Sequence, residues 1–422
     1  MRAIDTIIVQ LEKNRKTIQL ILGVLVTLII LATEADAQST EGFIYGKVKT
    51  SENTYIGLIR WGKEEVYWND HYNATKLSDR HQGHQYRERD RENSWSNFDW
   101  SLSSIWDNRG GNSHQFVVQF GDIAEIDNYN RERPVVILKN DMEVKTTGGG
   151  SNDMKPTLKI LDSDLGEISI RWSRVERVQF LPTPRNLKET FGPPLYGTVN
   201  TFRKGDIKGY IQWDHDERLG SDKLDGRTRD GELSIPFKKI KSIESGRSGS
   251  TVELWDGRNF YVTGSNDVNA ENRGIIVSVE NVGKVDIPWK VFNKVNFERY
   301  INSSGKPYSS YSTPKGLQGK VITYEEDVYS GRIVYDLDEA MEVEFLEGKD
   351  EGMEYKIPFR NIKKIKPKNY TYSQIELRNG DVLILGEGRD VSDDNGGLLI
   401  FQNGKKEPEY VPWKKVSEII FE

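Results

Sequence analysis

Apolar residues return along the chain in two rhythms, and both predict an all-β protein. In the first, polar and apolar positions alternate through Val252-Glu253-Leu254 and Phe260-Tyr261-Val262, which flank Asp256-Gly257. Ile375-Glu376-Leu377 and Val382-Leu383-Ile384 flank Asn379-Gly380 in the same way. Period-two alternation around Asp-Gly or Asn-Gly predicts a hairpin with a type I′ turn, in which both central residues need positive φ. In the second rhythm an apolar residue follows an aromatic at every third position: Phe237, Ile240, Ile243; Trp289, Phe292, Val295; Phe359, Ile362, Ile365; Trp413, Val416, Ile419. Phe120 and Trp172 open two further examples. A spacing of three over so few residues predicts a single 3₁₀ turn between two strands, not an amphipathic helix. The proline of Ile235-Pro236-Phe237 or Ile287-Pro288-Trp289 bars a longer helix and suits a strand end.

These patterns recur as a module. Tyr45-Gly46-Lys47-Val48, Tyr196-Gly197-Thr198-Val199 and Gln318-Gly319-Lys320-Val321 open alike, and each is followed by a second glycine, Gly57, Gly209 or Gly331. Inside each copy the aromatic comes twice, as Phe120 and Trp172, Phe237 and Trp289, Phe359 and Trp413. The chain therefore divides into module 1 (43–181), module 2 (195–299) and module 3 (317–422), each built from two half-modules of one plan. A hairpin, a third strand, a 3₁₀ turn and a closing strand predict a small, strongly bent β-barrel for each half. The proline-rich stretch 182–194 and the Ser/Tyr/Pro-rich stretch 300–316 read as surface linkers between domains free to reorient.

The half-module is similar to the Sm-like and Src-homology-like small barrels, whose last strand also follows a single 3₁₀ turn. The full succession is Trp213 to Glu217, Ile235 to Phe237, Gly264 to Val268 and Ile287 to Trp289. It resembles uncharacterised secreted bacterial proteins built from tandem repeats of such barrels. That resemblance implies fold and export, and no activity.

Composition narrows the chemistry. The 422 residues include no cysteine, which excludes disulfides, thiolate metal sites and a cysteine nucleophile. A formal net charge of −6 with both signs interspersed offers no basic stripe for nucleic acid. Arg2, Lys13, Arg15 and Lys16, the apolar run Ile18 to Ala32 and Ala35-Asp36-Ala37 have the three parts of a secretory signal peptide. Residues 1–37 are thus expected to be removed, with an uncleaved anchor as the alternative, and the remainder to be periplasmic, envelope-associated or extracellular with no membrane span.

Three features carry candidate chemistry. The first is the acidic cluster Asp214, Asp216, Glu217, echoed by Asp336, Asp338, Glu339 and degraded to Gly62-Lys63-Glu64-Glu65 in module 1. Paired carboxylates can act as acid and base on a glycosidic bond, whereas a turn is duplicated whenever its module is. The second is the Asx-rich loop Gly264 to Gly274, with counterparts at Gly386 to Gly397 and at Gly150-Ser151-Asn152-Asp153. Asp390, Ser392 and Asp394 partly imitate a calcium loop, although glycine comes one position late and no bidentate glutamate follows. Asx residues that cap their own backbone are the plainer alternative. The third is an insertion in module 1, residues 78–115, with Trp95, Phe98, Trp100 and Trp106, rings that can stack on a glycan or anchor a protein, or fold back onto the module's own core. His71, His81, His84 and His114 lie nearby without metal-ligand spacing. No phosphate loop, nucleophile elbow or dinucleotide fingerprint occurs. The expected function is a non-enzymatic exported binding or scaffolding protein, its partner a protein or a glycan. The alternative is a carbohydrate-active or metal-dependent hydrolase using Asp214, Asp216 and Glu217.

Overall fold

The computed structural model describes residues 39–76, 115–131, 133–147, 156–299 and 304–422. The signal segment 1–37, most of the insertion with Trp95, Phe98, Trp100 and Trp106, and the loop Gly150 to Asp153 lie outside the described residues. No helix among the described residues is long and apolar enough to cross a membrane.

Among the described residues thirty strands form open antiparallel sheets. Module 1 holds β1 (Tyr45–Thr50), β2 (Thr54–Trp61), β3 (His71–Lys76), β4 (Gln115–Gln119), β5 (Ile123–Asp127), β6 (Val135–Leu138), β7 (Glu143–Thr147), β8 (Thr157–Asp162), β9 (Gly166–Arg171) and β10 (Val175–Phe180). Module 2 holds β11 (Tyr196–Thr201), β12 (Gly205–Trp213), β13 (Lys223–Arg227), β14 (Glu232–Pro236), β15 (Ile240–Ser245), β16 (Gly249–Leu254), β17 (Asn259–Thr263), β18 (Ile275–Val279), β19 (Gly283–Ile287) and β20 (Phe292–Phe297). Module 3 holds β21 (Gln318–Thr323), β22 (Val328–Val334), β23 (Phe345–Asp350), β24 (Met353–Pro358), β25 (Ile362–Pro367), β26 (Tyr372–Leu377), β27 (Val382–Gly386), β28 (Leu398–Phe401), β29 (Glu409–Val411) and β30 (Val416–Phe421).

The repeat is reproduced in the pairing. Module 1 runs β4-β3-β7-β6-β5-β10-β1-β2-β8-β9, and the pairings of modules 2 and 3 give the same order at equivalent strands. Within each module the halves exchange strands. The hairpin β11–β12 of the first half is extended by β18–β19 of the second, and β16–β17 of the second half borders β13 of the first. Swapping the two halves leaves the pattern unchanged, since β15 and β20 also pair with each other. This differs from the expected half-module, a hairpin, a third strand and a closing strand that bend into a barrel of their own. The connections after β12 and after β17 cross from one half to the other, so neither half completes its sheet alone.

The repeated glycines explain how the hairpins bend. Gly197 faces Gly209 across β11–β12, as Gly46 faces Gly57 and Gly319 faces Gly331. A Cβ at Gly209 would lie far inside the contact distance of the Ser278 carbonyl on β18, and one at Gly197 would strike the Asn296 carbonyl on β20. Only glycine lets three backbones approach so closely.

Five of the six aromatic positions open a 3₁₀ turn, beginning at Phe120, Trp172, Phe237, Phe359 and Trp413. At Trp289 a looser turn holds instead, with Phe292 N donating to the Trp289 carbonyl at 3.2 Å. The two hairpin tips are not type I′. Gly257 (φ 89°) and Gly380 (φ 97°) alone take the left-handed conformation, while Asp256 and Asn379 do not. Leu254 N donates to Arg258 O, and Gly257 N to Leu254 O, the longer loop of a type I turn followed by a glycine bulge.

The linkers are packed rather than free. Thr183 is buried, accepts from the Trp68 indole at 3.0 Å and donates to Phe43 O. Tyr308 and Tyr311, which precede module 3, are buried against module 1, with Tyr308 Oη donating to Ile123 O at 2.9 Å. The cores are shared as well. One apolar cluster spans modules 2 and 3, and another joins module 1 to Val334, Leu337, Met341 and Val343 of module 3. Strand β19 pairs antiparallel with β24, which welds module 2 to module 3.

A repeated carboxylate ties the modules together. Asp70 Oδ2 accepts from Val66 N and Tyr67 N, Asp222 Oδ2 from Arg218 N and Leu219 N, and Glu344 Oε2 from Ala340 N and Met341 N. Each of these acids also meets a cation from another module. Arg218 reaches Asp70 at 3.0 Å, Arg60 reaches Asp222 at 2.9 Å, and Lys76 pairs with Glu344. Arg360 of module 3 adds a bidentate pair with the buried Asp122 of module 1.

Candidate functional site

Two loops that sequence kept apart meet in space. The acidic turn follows β12 and the Asx-rich loop follows β17, so they are the crossing connections of the two half-modules. Strand exchange sends both across the same point. As a result carboxylate oxygens of Asp214, Glu217 and Asp267 lie within 4.8 Å of one another, and those of Asp336, Glu339 and Asp390 repeat the arrangement in module 3.

The turn is shaped by the backbone. Trp213 N donates to Glu217 O at 2.8 Å and Glu217 N to Trp213 O at 2.9 Å, closing a tight loop. Asp214 (φ 47°) and His215 (φ 61°), like Asp336 (φ 48°) and Leu337 (φ 60°), adopt the left-handed region, and in module 1 glycine, Gly62, stands at the first of these positions. Aspartate is among the non-glycine residues that adopt this region most readily, so the turn keeps its shape while presenting a carboxylate where module 1 has glycine.

Backbone amides fix two of each trio. Asp214 Oδ1 accepts from Arg273 N at 2.6 Å, and its other oxygen meets the Asn266 amide and the Arg273 guanidinium. Asp267 Oδ2 accepts from Asp225 N at 2.6 Å, and the Trp213 indole donates to the Asp267 carbonyl at 2.9 Å. In module 3 Asp336 accepts from Gly396 N and pairs with Arg389 at 2.8 Å. Asp390 Oδ2 accepts from Glu347 N at 2.6 Å, while Tyr335 Oη donates to the Asp390 carbonyl at 2.5 Å.

The third member is different. Glu217 Oε2 and Glu339 Oε2 are shielded from solvent and have no hydrogen-bond partner among the described residues. Burial, followed by repulsion from Asp267, Asp216 and Asp214, pushes the Glu217 carboxyl up to about 9. Burial raises Asp267 to about 6, with Asp214 adding to it, and raises Asp336 to about 6 against the pull of Gly396 N and Arg389. Glu339 is held well above the carboxylate range by burial and by Asp338, Asp390 and Asp336. Beside the module 3 trio lies a cavity of about 190 Å³, whose lining includes Val117, Phe345, Glu347 and Arg389.

The sequence-derived candidates are sorted by this geometry. Asp214 and Glu217 converge, but Asp216 turns to Arg273 at 2.7 Å and stays outside the trio. Asp338 likewise pairs with Lys76 of module 1 at 3.1 Å. The proposed calcium loop Asp390, Ser392, Asp394 is not assembled. Asp390 is drawn to Asp336 and Glu339, Ser392 is buried with its carbonyl taken by Asn395 N, and Asp394 is exposed. The physical reason is that the Asx loop curls onto its own amides, with Asn395 donating to Asp390 O and Asn395 Oδ1 accepting from Gly397 N. His71 packs against Phe345, with ring centroids 4.3 Å apart and the planes tilted by 52°. His81, His84 and His114 lie outside the described residues.

Asp267 was not singled out from sequence, although it and Asp390 occupy equivalent places in the repeat. Comparison of the chain with protein-family models, curated proteins and solved structures gives no match.

Proposed function

We propose that this chain is a non-enzymatic binding or scaffolding protein, exported to the cell envelope or extracellular space, built on three strand-exchanged modules of small-barrel type. The observation that carries this reading is the welding of the modules by a repeated acid-to-cation contact. A body stiffened across every module boundary suits presentation of a fixed surface, and less so a hinged cleft closing on a substrate. The order β10-β1-β2-β8-β9, with a 3₁₀ turn before β10, supports the kinship with small barrels.

A hydrolytic role for Asp214, Asp216 and Glu217 is weakened by the same geometry. Asp214 and Asp216 are both tied to Arg273, and the arrangement is duplicated, whereas a catalytic dyad is rarely duplicated within one chain. The contact region we propose is the insertion at 78–115.

Glycan and peptide arrays probed with the full chain and with a variant lacking residues 78–115 test this reading. A specific signal lost from the deletion variant is the expected outcome. Equal signals from both would remove the insertion as contact surface, and a polysaccharide-hydrolysing activity abolished by E217Q would overturn the non-enzymatic assignment.

A further inference from the structure

We propose that modules 2 and 3 each bind one hard divalent cation of the calcium class, held by Asp214, Glu217 and Asp267 in one and by Asp336, Glu339 and Asp390 in the other.

Clustered acids alone are common, so the argument rests on what else is built around them. In both modules the glutamate presents a solvent-shielded oxygen with no donor to satisfy it, aimed among two neighbouring carboxylates. A buried acceptor left unpaired is costly, and the same orphan at equivalent positions of two modules is not an accident of one loop. The charges agree. Each trio carries three negative charges when ionised and is reached by one guanidinium, Arg273, which also serves Asp216, or Arg389, so negative charge remains in excess for a cation to meet.

The ligands are also held in place before any ion arrives. Asp214, Asp267, Asp336 and Asp390 each have one oxygen fixed by a backbone amide, which orients the other. All four of those amides belong to the half-module opposite the carboxylate they hold, so the strand exchange itself clamps the site. An aromatic donor, Trp213 or Tyr335, holds the Asx loop at the same carbonyl in each copy. Such orienting contacts are what tune a metal site.

The donor set chooses the ion. Every ligand is a carboxylate oxygen, in a chain without cysteine, which favours a hard cation over zinc or copper. Magnesium demands a near-ideal octahedron, whereas calcium accepts irregular, backbone-dictated oxygen positions completed by water. The cavity of about 190 Å³ beside the module 3 trio leaves room for such waters.

Module 1 marks the limit of the proposal. Gly62 stands where Asp214 and Asp336 stand, so its version lacks a ligand, although Glu65 keeps the glutamate position. The expected stoichiometry is therefore two ions per chain.

Isothermal titration of chelator-treated full-length chain with calcium chloride tests this directly. We expect two ions per chain, one in E217Q, one in E339Q and none in the double variant, with magnesium binding more weakly than calcium. Glutamine preserves the shape of the buried carboxyl, so each variant without calcium should melt no lower than the parent, and calcium should raise the parent's melting temperature most. Absence of binding at millimolar calcium, an unchanged stoichiometry in E217Q, or magnesium binding as tightly as calcium would each overturn the proposal. A calcium-free variant that melts below the parent would overturn the reading of the glutamate oxygen as an unsatisfied acceptor in the ion-free chain.

Discussion

Replacing Arg218 with methionine probes the contact on which the rigidity of the assembly depends. Arg218 leaves the acidic turn of module 2 and enters module 1, where its side chain and that of Asp70 are each 1% exposed. One arm of the guanidinium donates to Asp70 Oδ1 at 3.0 Å and the other to Ile211 O at 3.0 Å, and the plane lies 5.0 Å from the centre of the Tyr67 ring. Methionine keeps most of the volume and removes the charge. The carboxylate of Asp70 then stays buried with its two backbone amides and with Lys284, which stands at 3.7 Å and only partly compensates. Leaving one partner of a buried pair costs about 3–5 kcal/mol, and the nearby lysine argues for the lower end. Against a total stability on the order of 5–15 kcal/mol, such a loss is readily measured.

The assay is denaturant unfolding of the full chain, followed by circular dichroism and by tryptophan fluorescence. R218M should lower the midpoint at constant slope. Adding D70N should recover part of the loss, because asparagine keeps an acceptor for Val66 N and Tyr67 N without a stranded charge. Burial alone would raise the Asp70 carboxyl, but Arg218, Lys284 and the two amides outweigh it and hold it below its ordinary value. A depressed carboxylate stabilises the fold above the ordinary carboxylate range and loses that contribution as pH falls through its folded value. The gap between parent and R218M should accordingly narrow in acid. A change smaller than about 0.5 kcal/mol, the range of ordinary surface substitutions, would refute the account. Separate unfolding of the modules in the parent would refute it too.

Other expectations follow from the same contacts. Glu217 titrates near 9 when folded and near its ordinary 4.5 when unfolded, so without cations the chain should lose stability as pH rises between those values. E217Q should flatten that slope in thermal melts, and an unchanged slope would dismiss the buried acid as its source. Gly209→Ala drives a methyl into the Ser278 carbonyl, and β18 must shift to admit it. We expect a loss of about 1–3 kcal/mol in denaturant midpoint, where a neutral effect would mean that the hairpin is looser than described. Trp213→Phe removes the indole donor to the Asp267 carbonyl and should cost about 1–3 kcal/mol together with weaker calcium binding by titration, while loss of stability with full calcium affinity would separate the indole from the site.

The amino-acid sequence by itself determined the repeat, the all-β class and the places of the turns. Those features are local. Period-two alternation, a proline before an aromatic and paired glycines act over a few residues, and each reads directly onto a strand, a 3₁₀ turn or a close backbone approach. The acidic turn and the Asx loop were visible for the same reason. That they form one site was not, because Asp214 and Asp267 belong to different half-modules and meet only when the halves exchange strands. Nothing in Asp70, Asp222 or Glu344 announces whether its cation comes from its own module or a neighbour. The tip of each hairpin turned on the residues before the Asp-Gly or Asn-Gly pair, where a four-residue connection replaced the two-residue turn. Tertiary structure decided what local pattern leaves open: which strand completes which sheet, and therefore which carboxylates share an enclosed space with too few donors to satisfy them.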